Sequence, residues 1–307
     1  MASSELNRRD FIRLTAAGVG TACLPKLALS LEPVLKRAIP KTGEMLSIVG
    51  LGTRRAFDVS PDASVWTPHR EMLRMMFEAG ANVVDALPMC RRAEGVVGEL
   101  LAETNTRNAI FLATKVWTEG KDRRIAQMQE SLRRLRTDRI DLMQSHNWVD
   151  WQTQLETQSL WKAAGIFRYI GITHYTSAAI DRRVEVMVTQ DTDCVQIACS
   201  IGERTVENKL LAVAAKRGIA VIVNRPHEGG DLFNSILGED VPEWAVEAGC
   251  RTWGQFFLKF TLSHPAVTCA IPATSNPNHM ADKLESARGI LPDKAMRQRM
   301  TQYWEDV

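Results

Sequence analysis

The stretch that decides the predicted fold is Ile110–Lys115, which reads IFLATK. It is nearly continuous in apolar residues, has the length of a strand and ends in a lysine. A strand of this kind is typical of a parallel sheet that is covered on both faces, because neither side of it meets water. The lysine would then lie where the strand leaves the sheet.

The same pattern occurs in other runs, namely Leu46–Leu51, Asn82–Ala86, Ile140–His146, Tyr169–Thr173, Cys194–Ala198, Ala220–Val223 and Val267–Ile271. Segments with the periodicity of helices lie between them, namely Glu71–Glu78, Arg123–Leu135, Thr176–Val188, Val206–Ala215 and Trp253–Leu262. About eight such units predict an α/β protein with a single-domain (β/α)8 TIM barrel. A doubly wound open sheet is the alternative, because counting strands does not establish closure. GLGTRRAF, after the first strand, lacks the Gly-x-Gly-x-x-Gly fingerprint of a Rossmann domain.

The composition is that of an ordinary globular chain. The 307 residues are 45% hydrophobic and 24% charged, and the formal net charge is +2. These values predict a sizeable core and no nucleic-acid partner. The basic segment Lys121–Arg139 carries its charges at helical spacing, which favours a solvated helix face. The six cysteines show no spacing that indicates a disulfide framework or a metal site.

Residues 1–30 have the layout of an export signal. Asn7–Arg13 (NRRDFIR) contains paired arginines, and the short apolar run LTAAGVGTACLP follows it. The run is too short to span a bilayer, and the arginine pair resembles a twin-arginine signal. We expect the twin-arginine export machinery as a partner and a periplasmic or otherwise exported location, or a cytoplasmic one if the signal is not functional. Residues 41–290 would form the barrel and residues 291–307 a C-terminal helical tail.

Polar side chains recur where the predicted strands end. They are Asp85, Lys115, His146, Thr173, His174, Gln196, Asn224, Arg225, Thr274 and Ser275. In a parallel barrel the carboxyl ends of all strands share one face, and active sites form there. Polar groups at successive strand ends therefore predict an enzyme whose site lies at this mouth.

Several short stretches, in this order, resemble the aldo/keto reductase family over Met45–Gly289. They are GLGT at Gly50–Thr53, ANVVDALPM at Ala81–Met89, FLATKV at Phe111–Val116, DLMQSHN at Asp141–Asn147, GIFRYIGITHY at Gly165–Tyr175, VQIACS at Val195–Ser200 and LSHPAVTCAIPATSNPNHMADKL at Leu262–Leu284. The resemblance implies that Asp85, Lys115 and His146 match three members of the family's catalytic tetrad. The fourth member, a tyrosine five positions after the aspartate, is Cys90 here.

The resemblance also implies the chemistry. A carbonyl accepts hydride from a nicotinamide, and its oxygen then needs a proton. A tyrosine hydroxyl would supply that proton beside the Lys115 ammonium, with Asp85 as the charge partner of Lys115, while neutral His146 orients the carbonyl. A thiol can donate a proton, but the sulfur of Cys90 falls roughly 3.5 Å short of a phenol oxygen by ordinary bond lengths. A bridging water would span that gap, so we expect weak or altered carbonyl reductase activity.

The resemblance further implies an NADP(H) site, with NAD(H) less favoured. The cofactor-binding positions are Gly52, Thr53, Thr173, His174, Gln196, Asn224, Arg225, Thr274, Ser275, Asn278, His279 and Asp282. Thr173, His174 and Gln196 match groups that bond the nicotinamide carboxamide. Asn224 stands where an aromatic ring often stacks, and His279 where an arginine usually meets the 2′-phosphate, so stacking and phosphate binding depart from the family pattern.

Further residues near the mouth carry weaker predictions. Arg225 and the glycine-bearing loop PHEGGDLF are expected at the cofactor pyrophosphate. Arg54 and Arg55 are either ligand contacts or rim residues. The aromatic residues that line a substrate pocket or pack under a lid are Trp117, Trp148 and Trp151. Leu87 and Arg91 stand where small residues are common in the family.

These observations favour an exported NADP(H)-dependent oxidoreductase that reduces a small aldehyde or ketone. The alternative is a catalytically impaired barrel that holds the nucleotide as a binding or sensing protein. A third hypothesis, an unrelated barrel lyase or hydrolase, requires no affinity for the nucleotide. The physiological substrate and the oligomeric state do not follow from the sequence.

Overall fold

The fold is an eight-stranded barrel preceded by a hairpin. The computed structural model describes residues 32–176 and 180–307, so the predicted signal segment with Cys23 lies outside the described residues. The hairpin consists of antiparallel strands β1 (Lys36–Ala38) and β2 (Met45–Ser47). The parallel sheet contains, in spatial order, β3 (Leu51–Gly52), β4 (Val83–Asp85), β5 (Phe111–Val116), β6 (Ile140–His146), β7 (Phe167–Thr173), β8 (Cys194–Ala198), β9 (Ala220–Asn224) and β10 (Cys269–Ala270).

The sheet closes on itself. Val49 pairs with Ala270 and Gly52 with Ala273 in parallel bridges, and the backbone N–H of Gly50 donates to the carbonyl of Ala270 over 2.8 Å. These contacts join the first strand region to the last. The (β/α)8 barrel is therefore confirmed, and the open sheet is excluded.

Helices cover the barrel, and five of those in the described ranges overlap the segments with predicted helical periodicity. The helices are α1 (Thr67–Glu78), α2 (Ala93–Glu103), α3 (Lys121–Arg134), α4 (Trp151–Ala163), α5 (Ile180–Thr189), α6 (Leu210–Arg217), α7 (Leu232–Ser235), α8 (Trp253–Leu262), α9 (Pro277–Ser286) and α10 (Lys294–Asp306). Within the described ranges, no helix has both the length and the apolar character that a membrane crossing requires.

The first predicted strand, Leu46–Leu51, is wrong as a single element. The chain divides after Ser47, so that β2 belongs to the hairpin and β3 to the barrel. Asn82 holds the break, because its side-chain carbonyl accepts from the Ser47 N–H over 2.8 Å. Gly50 is required next to it, since a Cβ there would lie 2.7 Å from the carbonyl oxygen of Val83.

The basic segment Lys121–Arg139 is not purely a solvated face, as the sequence predicted. Arg124 in α3 is fully buried, and its guanidinium lies 3.4 Å from the carboxylate of Asp150. The helix predicted from the charge spacing is confirmed as α3, but the spacing does not distinguish the arginine that contacts the loop before α4.

The C-terminal helix α10 packs on the barrel. Met300 is buried in a cluster with Phe256 and Phe257 of α8, and Tyr303 and Trp304 pack against the same cluster. The aromatic side chains of α10 thus anchor a helix that otherwise reads as polar.

Candidate active site

The inward-facing side chains of the barrel change from apolar to polar along each strand. One buried cluster contains Val83, Phe111 and Leu142 together with Ile39 and Leu46 of the hairpin, which places the hairpin at the amino-terminal end of the barrel. Strand side chains alternate between faces. The residues two or four positions further along therefore also face inward, and they are Asp85, Lys115, Gln144, His146, Thr173, Gln196 and Asn224.

Asp85 and Lys115 form a buried ion pair at this end. The Nζ of Lys115 lies 2.5 Å from Oδ2 of Asp85 and donates to the carbonyl of Ala86 over 3.2 Å. The two side chains are 1% and 3% exposed. Desolvated charges of this kind are costly unless both are paired and hydrogen-bonded, so the pair requires the surrounding polar network.

Two glutamine amides complete the environment of the carboxylate. Oδ1 of Asp85 accepts from Nε2 of Gln144 over 3.2 Å and from Nε2 of Gln196 over 3.1 Å. Gln144 is not among the site residues predicted from the sequence. It lies two positions before His146 on the same strand, so the two-residue period of the strand indicates its inward direction.

The hydrogen bonds fix the direction of each amide in turn. A carboxylate only accepts, so Gln196 presents its nitrogen to Asp85 and its Oε1 to the other side. That oxygen accepts from the hydroxyl of Thr173 over 2.9 Å and from Nδ2 of Asn224 over 3.2 Å. Asn224 must therefore turn Oδ1 away, and this buried atom has no partner among the described residues.

His146 ends β6 and is held neutral. Burial lowers its pKa to about 3, and the charges of Lys115, His174 and Arg54 act in the same direction. The ring forms no hydrogen bond with the described part of the chain, and its buried Nδ1 is unpartnered. The edge of Trp117 approaches it, with ring centroids 6.4 Å apart. A neutral imidazole here has an N–H to offer to a ligand.

His146→Gln is expected to make the folded state less sensitive to acid. In the unfolded chain the imidazole binds a proton near its ordinary pKa of about 6.5, so between pH 6.5 and about 3 the unfolded state binds more protons and stability falls as the pH falls. From about pH 7.5 to about pH 5 the wild type should lose about 2 kcal/mol more than the variant. Urea unfolding at both values measures this, and equal losses would contradict a buried neutral ring.

Cys90 lies in a turn between β4 and α2. Its N–H donates to the carbonyl of Leu87 over 3.3 Å, and its carbonyl accepts from the N–H of Ala93 over 2.7 Å. The side chain is half-buried and packs against the main apolar cluster. Arg91 beside it is exposed. No tyrosine stands at the position that the resemblance requires.

The loop after β3 is tied to the ion pair. Both the N–H and the hydroxyl of Thr53 donate to the carbonyl of Asp85, over 3.1 and 3.0 Å, and Gly52 lies beside Asp85 in the strand register. The absence of a side chain at Gly52 also allows the backbone just after β10 to approach closely, because a Cβ at Gly52 would lie 2.6 Å from the carbonyl oxygen of Ile271. Gly52 and Thr53 therefore both lie beside Asp85, while their cofactor-binding role stays a prediction.

An aromatic stack borders the other side of the mouth. The ring of His174 stacks on Tyr175 with centroids 5.5 Å apart and on Trp148 with centroids 6.3 Å apart. Nδ1 of His174 accepts from the Thr176 N–H over 3.2 Å, so only its Nε2 can meet a ligand. Trp151 packs edge-on against Trp148.

Arg225 lines a cavity of about 220 Å³ that the ends of β8 and β9 border. Its guanidinium donates to the backbone carbonyl of Glu228 over 3.2 Å. Glu203 and Glu228 line the same cavity, and the carboxylate of Glu228 accepts from the hydroxyl of Ser200. Arg225, which is predicted to contact phosphate, therefore lies near two acidic residues. The sequence did not indicate that these residues would be close to it.

The last group of predicted cofactor-binding residues, Thr274 to Asp282, lies around the start of α9. The N-cap of this helix is Asn276, whose side-chain oxygen accepts from the N–H of Asn278 over 2.9 Å. Ser275, Asn278 and His279 are exposed, whereas Thr274 is buried. Asp282 is already engaged, because its carboxylate accepts from Thr252 and Gln255 of the α8 start.

Comparison with known proteins decides the family. The model of the aldo/keto reductase family matches residues 49–301, which is most of the chain. The chain belongs to the aldo/keto reductase family. This member is 29% identical over 265 residues to the methylglyoxal reductase YeaE of Escherichia coli, an alignment that covers 81% of this chain and 91% of the relative.

One further relative and one solved structure are also similar to this chain. The methylglyoxal reductase DkgB of Salmonella typhimurium is 31% identical over 160 residues, which cover 49% of this chain and 56% of that protein. Among solved structures, an aldo/keto reductase from Klebsiella pneumoniae in complex with NADP and acetate superimposes with a TM-score of 0.75 at 20% identity, covering 89% of this chain and 95% of the other. At that identity the likeness shows the fold.

Proposed function

We propose that this aldo/keto reductase family member uses NADP(H) to reduce a small reactive carbonyl, at a low rate because Cys90 replaces the tyrosine. The observation that carries the proposal is the buried chain of contacts from Lys115 through Asp85 and Gln196 to Asn224, with neutral His146 at the same mouth. Relatives named methylglyoxal reductases support a small 2-oxoaldehyde as substrate.

The residues fit the nicotinamide end of the cofactor. A carboxamide carries an NH2 group and a carbonyl, and the unpartnered Oδ1 of Asn224 can accept from that NH2 group. The Nε2 of His174 is available for the carbonyl. At the pyrophosphate, Arg225 is favourable but Glu203 and Glu228 oppose the charge. We propose NADP(H) over NAD(H) because His279 and Ser275 are exposed at the start of α9.

Each residue of the site then has a separate role in the proposed reaction. When bound, a dihydronicotinamide would supply the hydride for the carbonyl carbon, and the carbonyl oxygen would then need a proton from the protein. Neutral His146 donates a hydrogen bond to that oxygen and orients it. The thiol of Cys90, placed before α2, delivers the proton through water. Lys115 stabilises the negative charge that remains while the proton moves, and Asp85 holds Lys115 in place.

Asn224→Leu is expected to weaken NADPH binding roughly 10-fold, because one hydrogen bond to the carboxamide is lost in a buried place. Quenching of tryptophan fluorescence by NADPH measures this. Adenosine 2′,5′-bisphosphate, which lacks nicotinamide, is the matched ligand and should bind both proteins alike. Equal weakening of both ligands would assign the effect to a general distortion instead.

Reduction itself is tested by following NADPH absorbance with methylglyoxal. Slow oxidation that depends on methylglyoxal concentration supports the proposal. Saturable NADPH binding with no oxidation would favour the second candidate, a nucleotide-binding barrel without turnover. The observation that favours this candidate is the packing of the half-buried Cys90 side chain against the main apolar cluster.

Export remains a separate proposal. The paired Arg8 and Arg9 before Phe11, followed by a short apolar run, support a twin-arginine signal and a periplasmic location. Fractionation of cells that produce the full chain tests it, and recovery of the protein only in the cytoplasm would contradict it.

A further inference from the structure

The loop between β6 and α4 has a strained backbone. Asn147, Trp148 and Asp150 have φ angles of 54°, 64° and 46°, so three of its four residues lie in the left-handed region although none is glycine. Residues with a side chain are disfavoured there, because the Cβ crowds the following carbonyl oxygen. Such a conformation persists only where surrounding contacts hold it. The loop follows His146 directly, so these contacts bear on the site.

Asp150 makes a contact of this kind. It is the N-cap residue of α4, but its side chain does not cap the helix. Its Oδ2 accepts instead from the backbone N–H of Gly120, in the loop between β5 and α3, over 3.1 Å and lies 3.4 Å from Nη1 of Arg124. We refer to these two contacts as the interloop contact. The same two loops are also joined by Gln154, whose Nε2 donates to the carbonyl of Thr118 over 2.9 Å.

Arg124 gives the carboxylate of Asp150 a fixed direction. The arginine is fully buried, and its Nε and Nη2 have no hydrogen-bond partner among the described residues. Asp150 is the one acidic residue of the described ranges within ion-pair distance of it. A buried cation that loses its anion is strongly destabilised. The carboxylate therefore stays turned toward the loop between β5 and α3.

The two loops that Asp150 joins carry two aromatic walls of the mouth. Trp117 lies in the loop after β5, and its ring meets the ring of His146 edge-on, with centroids 6.4 Å apart. Trp148 lies in the loop after β6 and stacks on His174, with centroids 6.3 Å apart. Because His146 forms no hydrogen bond with the described part of the chain, the orientation of its ring depends on packing against such neighbours.

We infer that Asp150 is a positioning residue for the reaction, because it ties the loop after β5 to the loop after β6. The joined loops hold Trp117 and Trp148 in place and thereby fix the imidazole of His146, which orients the substrate carbonyl. This inference rests on the proposed carbonyl reduction and names a residue on which its geometry depends. Asp150 acts only through these neighbours, so its loss slows the reaction without changing its chemistry.

The first test is kinetic. Asp150→Ala should lower kcat/KM for methylglyoxal roughly 10- to 100-fold, since a displacement of about 1 Å can cost ~100-fold. Asp150→Asn should keep most of the rate, because its amide oxygen can still accept from the N–H of Gly120. Asp293→Ala is the matched control. Asp293 is the N-cap residue of α10, where its carboxylate accepts from the N–H of Met296 over 2.8 Å, and its loss should leave kcat/KM unchanged.

A double variant separates positioning from stability. Asp150→Ala leaves Arg124 buried without its anion, so this variant should also unfold at a lower urea concentration. Adding Arg124→Met removes the uncompensated charge and should restore the urea midpoint, but the interloop contact stays absent and kcat/KM should stay low. If the double variant regains both the midpoint and the rate, Asp150 has only a structural role and the inference is overturned.

Hydrogen exchange of the full chain tests the interloop contact without turnover. The backbone N–H groups of residues 117–120 and of residues 147–150 should both exchange roughly 10-fold faster in Asp150→Ala, and neither group should change in Asp293→Ala. Faster exchange of residues 147–150 alone would show that the two loops are not tied and would overturn the inference.

The kinetic and exchange results also distinguish this inference from the proposed function. If the wild type and Asp150→Ala reduce methylglyoxal at equal rates, the inference is wrong and the reductase proposal stands. If the wild type reduces no carbonyl, the proposed function fails, and the exchange result alone decides whether Asp150 holds the two loops together.

Discussion

Lys115→Met is expected to lower the free energy of unfolding by about 3 to 5 kcal/mol. The substitution leaves the carboxylate of Asp85 buried without a cation, and the amides of Gln144 and Gln196 are then its remaining side-chain partners. Urea unfolding at neutral pH measures the loss. Methylglyoxal reduction should also become undetectable, since the proposed mechanism needs the ammonium.

The exposed ion pair between Lys209 and Asp181 serves as a control. Lys209 lies 2.7 Å from Asp181, but the two side chains are 57% and 87% exposed, so Lys209→Met should cost less than about 1 kcal/mol. Adding Asp85→Asn to Lys115→Met should restore part of the stability, because the uncompensated charge is removed. Similar small losses for Lys115→Met and Lys209→Met would show that the buried pair is not a stabilising unit.

Cys90→Tyr is expected to raise kcat for methylglyoxal on the order of 100-fold. A phenol reaches roughly 3.5 Å further than a thiol by ordinary bond lengths, so the hydroxyl would reach the place where the proton is needed without an intervening water. The half-buried turn before α2 must accept the ring. NADPH oxidation at saturating cofactor measures the gain.

Cys90→Phe separates the hydroxyl from the ring. It adds nearly the same volume without any proton donor, so it should bind NADPH as the tyrosine variant does and turn over methylglyoxal no faster than the wild type. If the phenylalanine and tyrosine variants turn over methylglyoxal equally, the missing donor does not limit this protein. The pH profile gives a second readout, because a phenol donor adds an alkaline limb that the phenylalanine variant lacks.

Local sequence determined the strands and the end at which their polar residues lie. Apolar runs that end in Asp85, Lys115 and His146 predict buried parallel strands, because each strand must bury both faces and the polar group can only leave at the rim. The resemblance to the aldo/keto reductases added the family, and the family match confirms it. Individual catalytic and cofactor roles remain predictions that the substitutions above test.

Only the tertiary structure decided closure, the break after Ser47 and the direction of each amide. Closure depends on the pairing of Val49 with Ala270, which are far apart in the chain and individually unremarkable. In the sequence, Gln144 is only a polar residue within a strand. Its part in the site becomes evident from the hydrogen bond that it donates to the carboxylate of Asp85 in the folded barrel. Local patterns depend on the period of one strand or helix, whereas a site depends on which distant side chains face each other once the barrel closes.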